Sequence, residues 1–378
     1  MNFFDNLFEI DDDSYYGISG LNTELFCVYI YNTFLKYNKN MVVVANSLYE
    51  ANLLYDCICN YTDKVLFFPM DDFITSEAIA ISPEFKSERI HTLNKLVIDN
   101  KYIVVTNLMG FLRYLPIKKV WKDNVIKLEK GLKIERDYLI SKLYDLGYER
   151  ESIVSETGKL GVRGYVLDLF PIDCENPIRI EFWGDEIDSI KFFNIDSQLT
   201  ISEIESIDIY PYSEFLLDKY GDGVDRKQKY LKHYADSVFS LADYCSNFLC
   251  FYYDYNQIQA GYKILVESIF NYDRDNKNYS GIKTDYMHAL TDIKFDKSVF
   301  LMNFDNILLN VKLNKENKYV SSLPFRYNDN VAYLKNDLIK YSVIQKKTVI
   351  LCVSNEDAAN RIIKYLNEIE FVKSDENS

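Results

Sequence analysis

Ile178-Arg-Ile-Glu-Phe-Trp-Gly-Asp-Glu-Ile-Asp-Ser-Ile-Lys-Phe-Phe193 reads as a β-hairpin, and Gly161-Val-Arg-Gly-Tyr-Val-Leu-Asp-Leu-Phe-Pro171 leads into it. Ile178, Ile180 and Phe182 alternate with Arg179, Glu181 and Trp183, a period of two that sends the two sets to opposite faces of a strand. Gly184-Asp185 is a two-residue turn signal, and residues 186–193 return as the partner strand. The polar face then carries Arg179 and Trp183 with Glu181 between them. Arginine and tryptophan on such a face are residue types that dominate protein–protein hot spots. The plainer alternative is a tryptophan packed under a neighbouring helix.

Outward from the hairpin, residues 17–115 alternate apolar strands (41–45, 65–68 and 102–106) with amphipathic helices (48–61 and 83–98). Pro83 and Glu84 stand where helix N-termini favour proline and acids. This succession predicts an α/β domain with a parallel sheet covered on both sides. Residues 1–116 are its first half. A strand near 125–128, a helix over 135–146 and the hairpin mark an inserted α+β domain at 117–212. Residues 213–310, with an apolar strand at 299–302, read as the second half of the first domain, and the polar stretch 311–330 as a linker. Residues 331–378 offer a helix, a strand at 348–353 and another helix. One strand and two helices cannot bury an independent core, so these residues are expected to begin a third α/β domain of a longer protein.

Of the 378 residues, 48% are hydrophobic and 26% charged, an ordinary globular mix. The net charge of −14 opposes wrapping a phosphate backbone, which needs clustered lysine and arginine. Lys118-Lys119 and Arg226-Lys-Gln-Lys229 are short basic runs flanked by acids, and read as solvated surface. The seven cysteines show no C-x-x-C spacing, which suits a reducing cytoplasm and gives no zinc site. No run approaches eighteen apolar residues, and the N-terminus lacks the basic region of a signal peptide, so neither a membrane nor export is expected.

Gly17-Ile-Ser-Gly-Leu-Asn-Thr-Glu24 overlays the phosphate-loop pattern G-x-x-x-x-G-K-[ST]. Such loops wrap phosphates with backbone N–H groups, neutralise them with lysine and hold magnesium with serine or threonine. Here Gly17 stands at the first glycine, Asn22 replaces the second, Thr23 the lysine and Glu24 the magnesium ligand. A carboxylate where the phosphates would lie repels them, so the loop reads as a vestige that binds no cofactor. After the strand at 299–302, Asn303-Phe-Asp-Asn306 stands where a helicase carries Asp-Glu; Asp305 alone reads as a turn residue. His91, His233 and His288 are isolated in sequence. The sequence therefore predicts no catalytic centre and no metal site.

The run G-x-x-x-x-R-G-x-x-x-D-[LI]-F-P, followed by the hairpin, resembles the second domain of the UvrB/Mfd family of repair proteins. Gly158, Arg163, Gly164, Asp168, Phe170, Pro171, Arg179, Phe182 and 185–189 all stand at family positions, and the likeness runs from about residue 16 to 211 and more loosely to 371. It implies a degenerate phosphate-loop (RecA-like) domain in two halves, with an inserted domain that recruits the repair protein UvrA. By the same resemblance, Arg163, Arg179 and Trp183 fall at the UvrA-facing positions, the last usually phenylalanine. UvrB itself keeps an intact phosphate loop and a long aromatic hairpin after the strand at 65–68. Both are missing here, which favours the coupling-factor branch over an excinuclease subunit or an active helicase. In that branch the resemblance places RNA-polymerase binding, DNA binding and ATP- and magnesium-driven translocation in domains beyond residue 378.

Overall fold

The computed structural model describes residues 4–5, 7–70, 82–99, 101–217, 220, 224, 230–276, 285–302, 311–321, 327, 330–347, 349, 351, 353 and 355–366. Two compact units result, residues 1–321 and 322–378.

The first unit opens with a β–α succession: β1 (Tyr15–Ser19), α1 (Thr23–Tyr37), β2 (Met41–Ala45), α2 (Leu48–Cys59), β3 (Val65–Phe68), α3 (Pro83–Ile98) and β4 (Ile103–Asn107). Each helix starts on a side-chain cap, from Asn22, Ser47 and Ser82 respectively. Short helices α4 (Leu108–Leu112) and α5 (Lys118–Asp123) lead to β5 (Ile126–Glu129), α6 (Arg136–Asp145) and the run β6 (Glu149–Arg150), β7 (Lys159–Arg163), β8 (Val166–Leu169), β9 (Ile178–Trp183), β10 (Glu186–Phe193), β11 (Thr200–Ile204) and β12 (Ser206–Ile209). The chain then passes through α7 (Leu231–Tyr234) and α8 (Leu241–Tyr244) to β13 (Leu249–Tyr253), α9 (Tyr255–Asn276), β14 (Lys297–Met302) and β15 (Lys315–Lys318).

The architecture is mixed α/β. Seven strands form one sheet in the order β15-β1-β14-β13-β2-β4-β3, and every pair in it is parallel. Strands from before and after the β5–β12 region interleave in that sheet. Its central strands are buried end to end, as a sheet covered on both faces requires. Val42 and Val44 enter the core beneath α3, whereas Met41, Val43 and Ala45 enter the core beneath α1, where Phe26 and Tyr29 lie. A six-stranded sheet, β11-β10-β9-β8-β7-β6, and the pair β12-β5 make up the remainder. Leu139 and Leu143 of α6 pack with Leu167, Ile178, Ile180 and Phe182 of the six-stranded sheet, and this core runs on into that beneath α3.

Lys315–Lys318 departs from the linker expected over 311–330. It pairs in parallel with Tyr16–Ser19 as the edge strand of the large sheet. Backbone pairing and polar contacts hold it there, Lys315 and Asn317 to Asp11 and Glu316 to Ser19, so it needs no apolar side chains and gave no strand signal. In the second unit, α10 (Val331–Leu338) runs into a π-helical turn at Ile339–Ile344, and α11 is Glu356–Tyr365. The strand expected at 348–353 falls partly outside the described residues, as does the whole of Asn303-Phe-Asp-Asn306 with Asp305. Among the described residues, no helix is long and apolar enough to cross a membrane.

Candidate functional site

β9 and β10 form the hairpin that the alternation predicts. Trp183 pairs with Glu186 across Gly184-Asp185, and Gly184 takes a φ of 64°, the positive value that a turn with glycine at its first central position uses. Ile178, Ile180 and Phe182 are buried against α6, while Arg179, Glu181 and Trp183 lie on the opposite face. The tip is braced from behind. Ile134 donates its N–H to the Asp185 carbonyl at 2.7 Å, and Ile187 donates to the Leu132 carbonyl at 3.0 Å.

Trp183 does not pack beneath a helix: it is 83% exposed at the end of its strand. Next to this strand, Asp168 of β8 stands directly opposite Arg179. Its carboxylate is 1% exposed and accepts two hydrogen bonds from Arg179, from Nε at 2.7 Å and from Nη2 at 2.9 Å. Arg179 also donates to the side chain and backbone carbonyl of Gln198, at 3.2 and 3.5 Å. Its guanidinium carbon stands 4.5 Å from the centre of the buried Phe193 ring. The hydrogen bonds to Asp168 hold the guanidinium pKa above its ordinary value. Arg163, on β7, reaches the same carboxylate only at 3.7 Å and keeps 53% of its side chain in solvent. Further along the face, Glu181 accepts from Lys191 at 2.6 Å and Ser189 at 2.7 Å, which lowers its carboxyl pKa.

Arg163, Arg179 and Trp183 thus share one face, but in different states. Arg179 is already satisfied within the chain, an engagement that the sequence, which only placed it on the outward face, did not record. Asp168 could have been found from the strand parity that puts it beside Arg179. Gln198 left no signal, since its loop brings it back from a different connection.

The residues that overlay the phosphate-loop pattern run from within β1 to the first turn of α1. Gly20 has a φ of 81°, and a Cβ added there would stand 1.8 Å from the Tyr319 carbonyl oxygen. Ser321 donates its hydroxyl to the Gly20 carbonyl at 2.6 Å, and its Oγ accepts the Asn22 N–H at 3.1 Å. The Asn22 side chain caps α1 by accepting the Leu25 N–H at 2.9 Å. Thr23 hydrogen-bonds the Tyr253 hydroxyl at 3.0 Å, and Glu24 sits in the first turn of α1. Gly17 belongs to β1 itself. The chain's own side chains and backbone therefore engage the turn between β1 and α1.

The histidines that are isolated in sequence find neighbours in space. His91 hydrogen-bonds Asp173, and His288 stands 3.1 Å from the Phe239 carbonyl with its ring edge-on to Tyr114. Among the described residues, no group of three or more histidine, cysteine, aspartate or glutamate side chains is arranged to hold a metal ion.

Residues 126–215 match a family model described as the UvrB interaction domain. The chain is 34% identical over 203 residues to the transcription-repair-coupling factor of Bacillus subtilis (strain 168), covering 53% of this chain and 17% of that protein. It is 33% identical over 218 residues to a protein of the same name from Staphylococcus epidermidis, covering 57% of this chain and 19% of the relative. A third relative so named, from Staphylococcus haemolyticus, is 34% identical over 202 residues. The match thus spans less than a fifth of the length of these curated relatives. The resemblance to the UvrB/Mfd family holds on both counts.

Proposed function

Starting from a chain that carries a UvrB interaction domain and is related to transcription-repair-coupling factors, we propose that it is the repair-recruitment part of such a factor. The inserted domain, 117–212, docks UvrA and so brings nucleotide-excision repair to a stalled RNA polymerase. Arg163, Arg179 and Trp183 form the docking face. The observation that carries this reading is Trp183, a large aromatic side chain 83% exposed at a braced hairpin tip inside the matched domain. Leaving so much apolar surface in water is unfavourable unless a partner covers it, and a tryptophan that shares its face with arginines is what a hot spot is made of.

In this reading the parallel sheet is a degenerate phosphate-loop domain in two sequence halves, retained as a scaffold. It neither binds nor hydrolyses ATP. Asn22, Thr23 and Glu24 support this by their chemistry, and Tyr319 and Ser321 by where they sit. ATP, magnesium, DNA and RNA polymerase would be handled by other parts of the longer relatives, and the setting is the cytoplasm. Titration of purified UvrA against the chain tests the proposal: saturable binding that is lost on Trp183→Ala supports it, and an absence of binding by the wild-type chain refutes it.

A further inference from the structure

The two arginines of the docking face differ in how easily they could turn toward a partner. Arg179 has four of its five N–H groups engaged, two by the Asp168 carboxylate and two by the oxygens of Gln198. Its guanidinium carbon also stands 4.5 Å over the Phe193 ring. Withdrawing it would leave Asp168, 1% exposed, as a buried carboxylate without a hydrogen-bonded cation, and that is strongly unfavourable. Arg163 is bound by no such obligation. Its Nη2 stands 3.7 Å from Asp168 Oδ2, beyond a normal hydrogen bond, and donates only a long bond, 3.5 Å, to the Ser152 carbonyl. It is also half in solvent, where a loose ion pair contributes little and is easily exchanged.

We propose that the pair divides the work. Arg163 is the arginine that meets a carboxylate on the docked protein. Arg179, within the same face, is a positioning residue that neutralises Asp168 and, through Gln198, fixes the loop between β10 and β11. With Asp168 already satisfied by Arg179, Arg163 keeps only a long hydrogen bond and a loose ion pair and can turn outward. This rests on the reading that the Trp183 face docks UvrA, and it adds an acidic group to the surface of the partner that meets Arg163.

The test measures UvrA binding at several salt concentrations, together with the melting temperature, for the chain and five variants. Trp183→Ala reports on the docking reading itself: binding equal to wild type would remove that reading, and the division of labour with it. Arg163→Ala should weaken binding by about tenfold or more, flatten its salt dependence and leave the melting temperature unchanged. Arg179→Ala should lower the melting temperature, because it strands Asp168. Replacing both members of the clamp, Arg179→Leu with Asp168→Leu, should recover the melting temperature and bring binding to within about threefold of wild type, with the salt dependence kept.

If that double variant folds but binds as poorly as Trp183→Ala, Arg179 touches the partner and the proposal is overturned. Should the double variant fail to fold, Asp168→Asn decides, because it releases Arg179 without removing it. Binding within about threefold of wild type supports a positioning role, whereas clearly tighter binding would mark Arg179 as a contact and overturn it.

Discussion

Arg89 and Glu214 form an ion pair inside the protein, Nε to Oε1 at 3.1 Å, with side chains only 1% and 4% exposed. Arg89 belongs to α3, beneath the parallel sheet, and Glu214 lies just after the last strand of the β5–β12 region. Arg113 joins them at 2.9 Å, and Arg89 also donates to the Pro69 carbonyl at 2.9 Å. The segment that follows β12 is thereby tied to the end of the parallel sheet.

Removing the charge from this pair should be costly. Glu214→Gln would leave two buried guanidiniums short of a counter-charge, and we expect a loss of about 3–5 kcal/mol in unfolding free energy by chemical denaturation. A loss within about 0.5 kcal/mol of zero would show that the triad contributes little.

The same carboxylate predicts acid sensitivity. Burial pushes its pKa up, but Arg113 and Arg89 outweigh burial and hold it down at about 2. A carboxyl whose folded pKa lies below its unfolded value contributes stability that is complete above the unfolded value and lost as pH falls toward the folded one. Wild-type stability should therefore decline from about pH 4.5 toward pH 2, and the decline should be shallower in Glu214→Gln. Melting curves across that range check it, and equal slopes in the two proteins would contradict it.

Restoring the phosphate-loop residues should not restore nucleotide binding. Thr23→Lys with Glu24→Thr supplies the missing lysine and hydroxyl, yet Tyr319 and Ser321 still bond to Ser19, Gly20 and Asn22. Isothermal titration with magnesium and ATP is expected to show no binding in either protein. A micromolar dissociation constant in either would mean that the loop is open to phosphate.

The hairpin was legible because one face is buried, so its alternation of Ile178, Ile180 and Phe182 had to be written into the sequence. β2 and β4 were legible as apolar runs for a related reason: both of their faces are covered. Lys315–Lys318 was not, because an edge strand held by its backbone needs no apolar residues. The Arg89–Glu214 pair joins residues 125 apart, and no local pattern records such a meeting. Within the docking face, residue types could be read from the sequence but their engagement could not. That Arg179 is tied to Asp168 depends on the register between β8 and β9.

Duplex DNA should be bound negligibly by this chain at physiological salt, since a net charge of −14 repels a polyanion and nonspecific affinity rests on phosphate neutralisation. A gel shift with random duplex checks this. A tight complex at moderate salt would revive an excinuclease-like reading.

The most direct measurement of the central claim is the dissociation constant of UvrA for the wild-type chain and for Trp183→Ala, with melting temperatures taken on the same samples. Trp183 is almost fully exposed and braced only through its backbone neighbours, so its truncation should leave the melting temperature unchanged. Loss of a desolvated aromatic anchor is worth about 2 kcal/mol or more, so affinity should weaken roughly thirtyfold or beyond. Equal affinities at equal melting temperatures would show that this face does not dock UvrA.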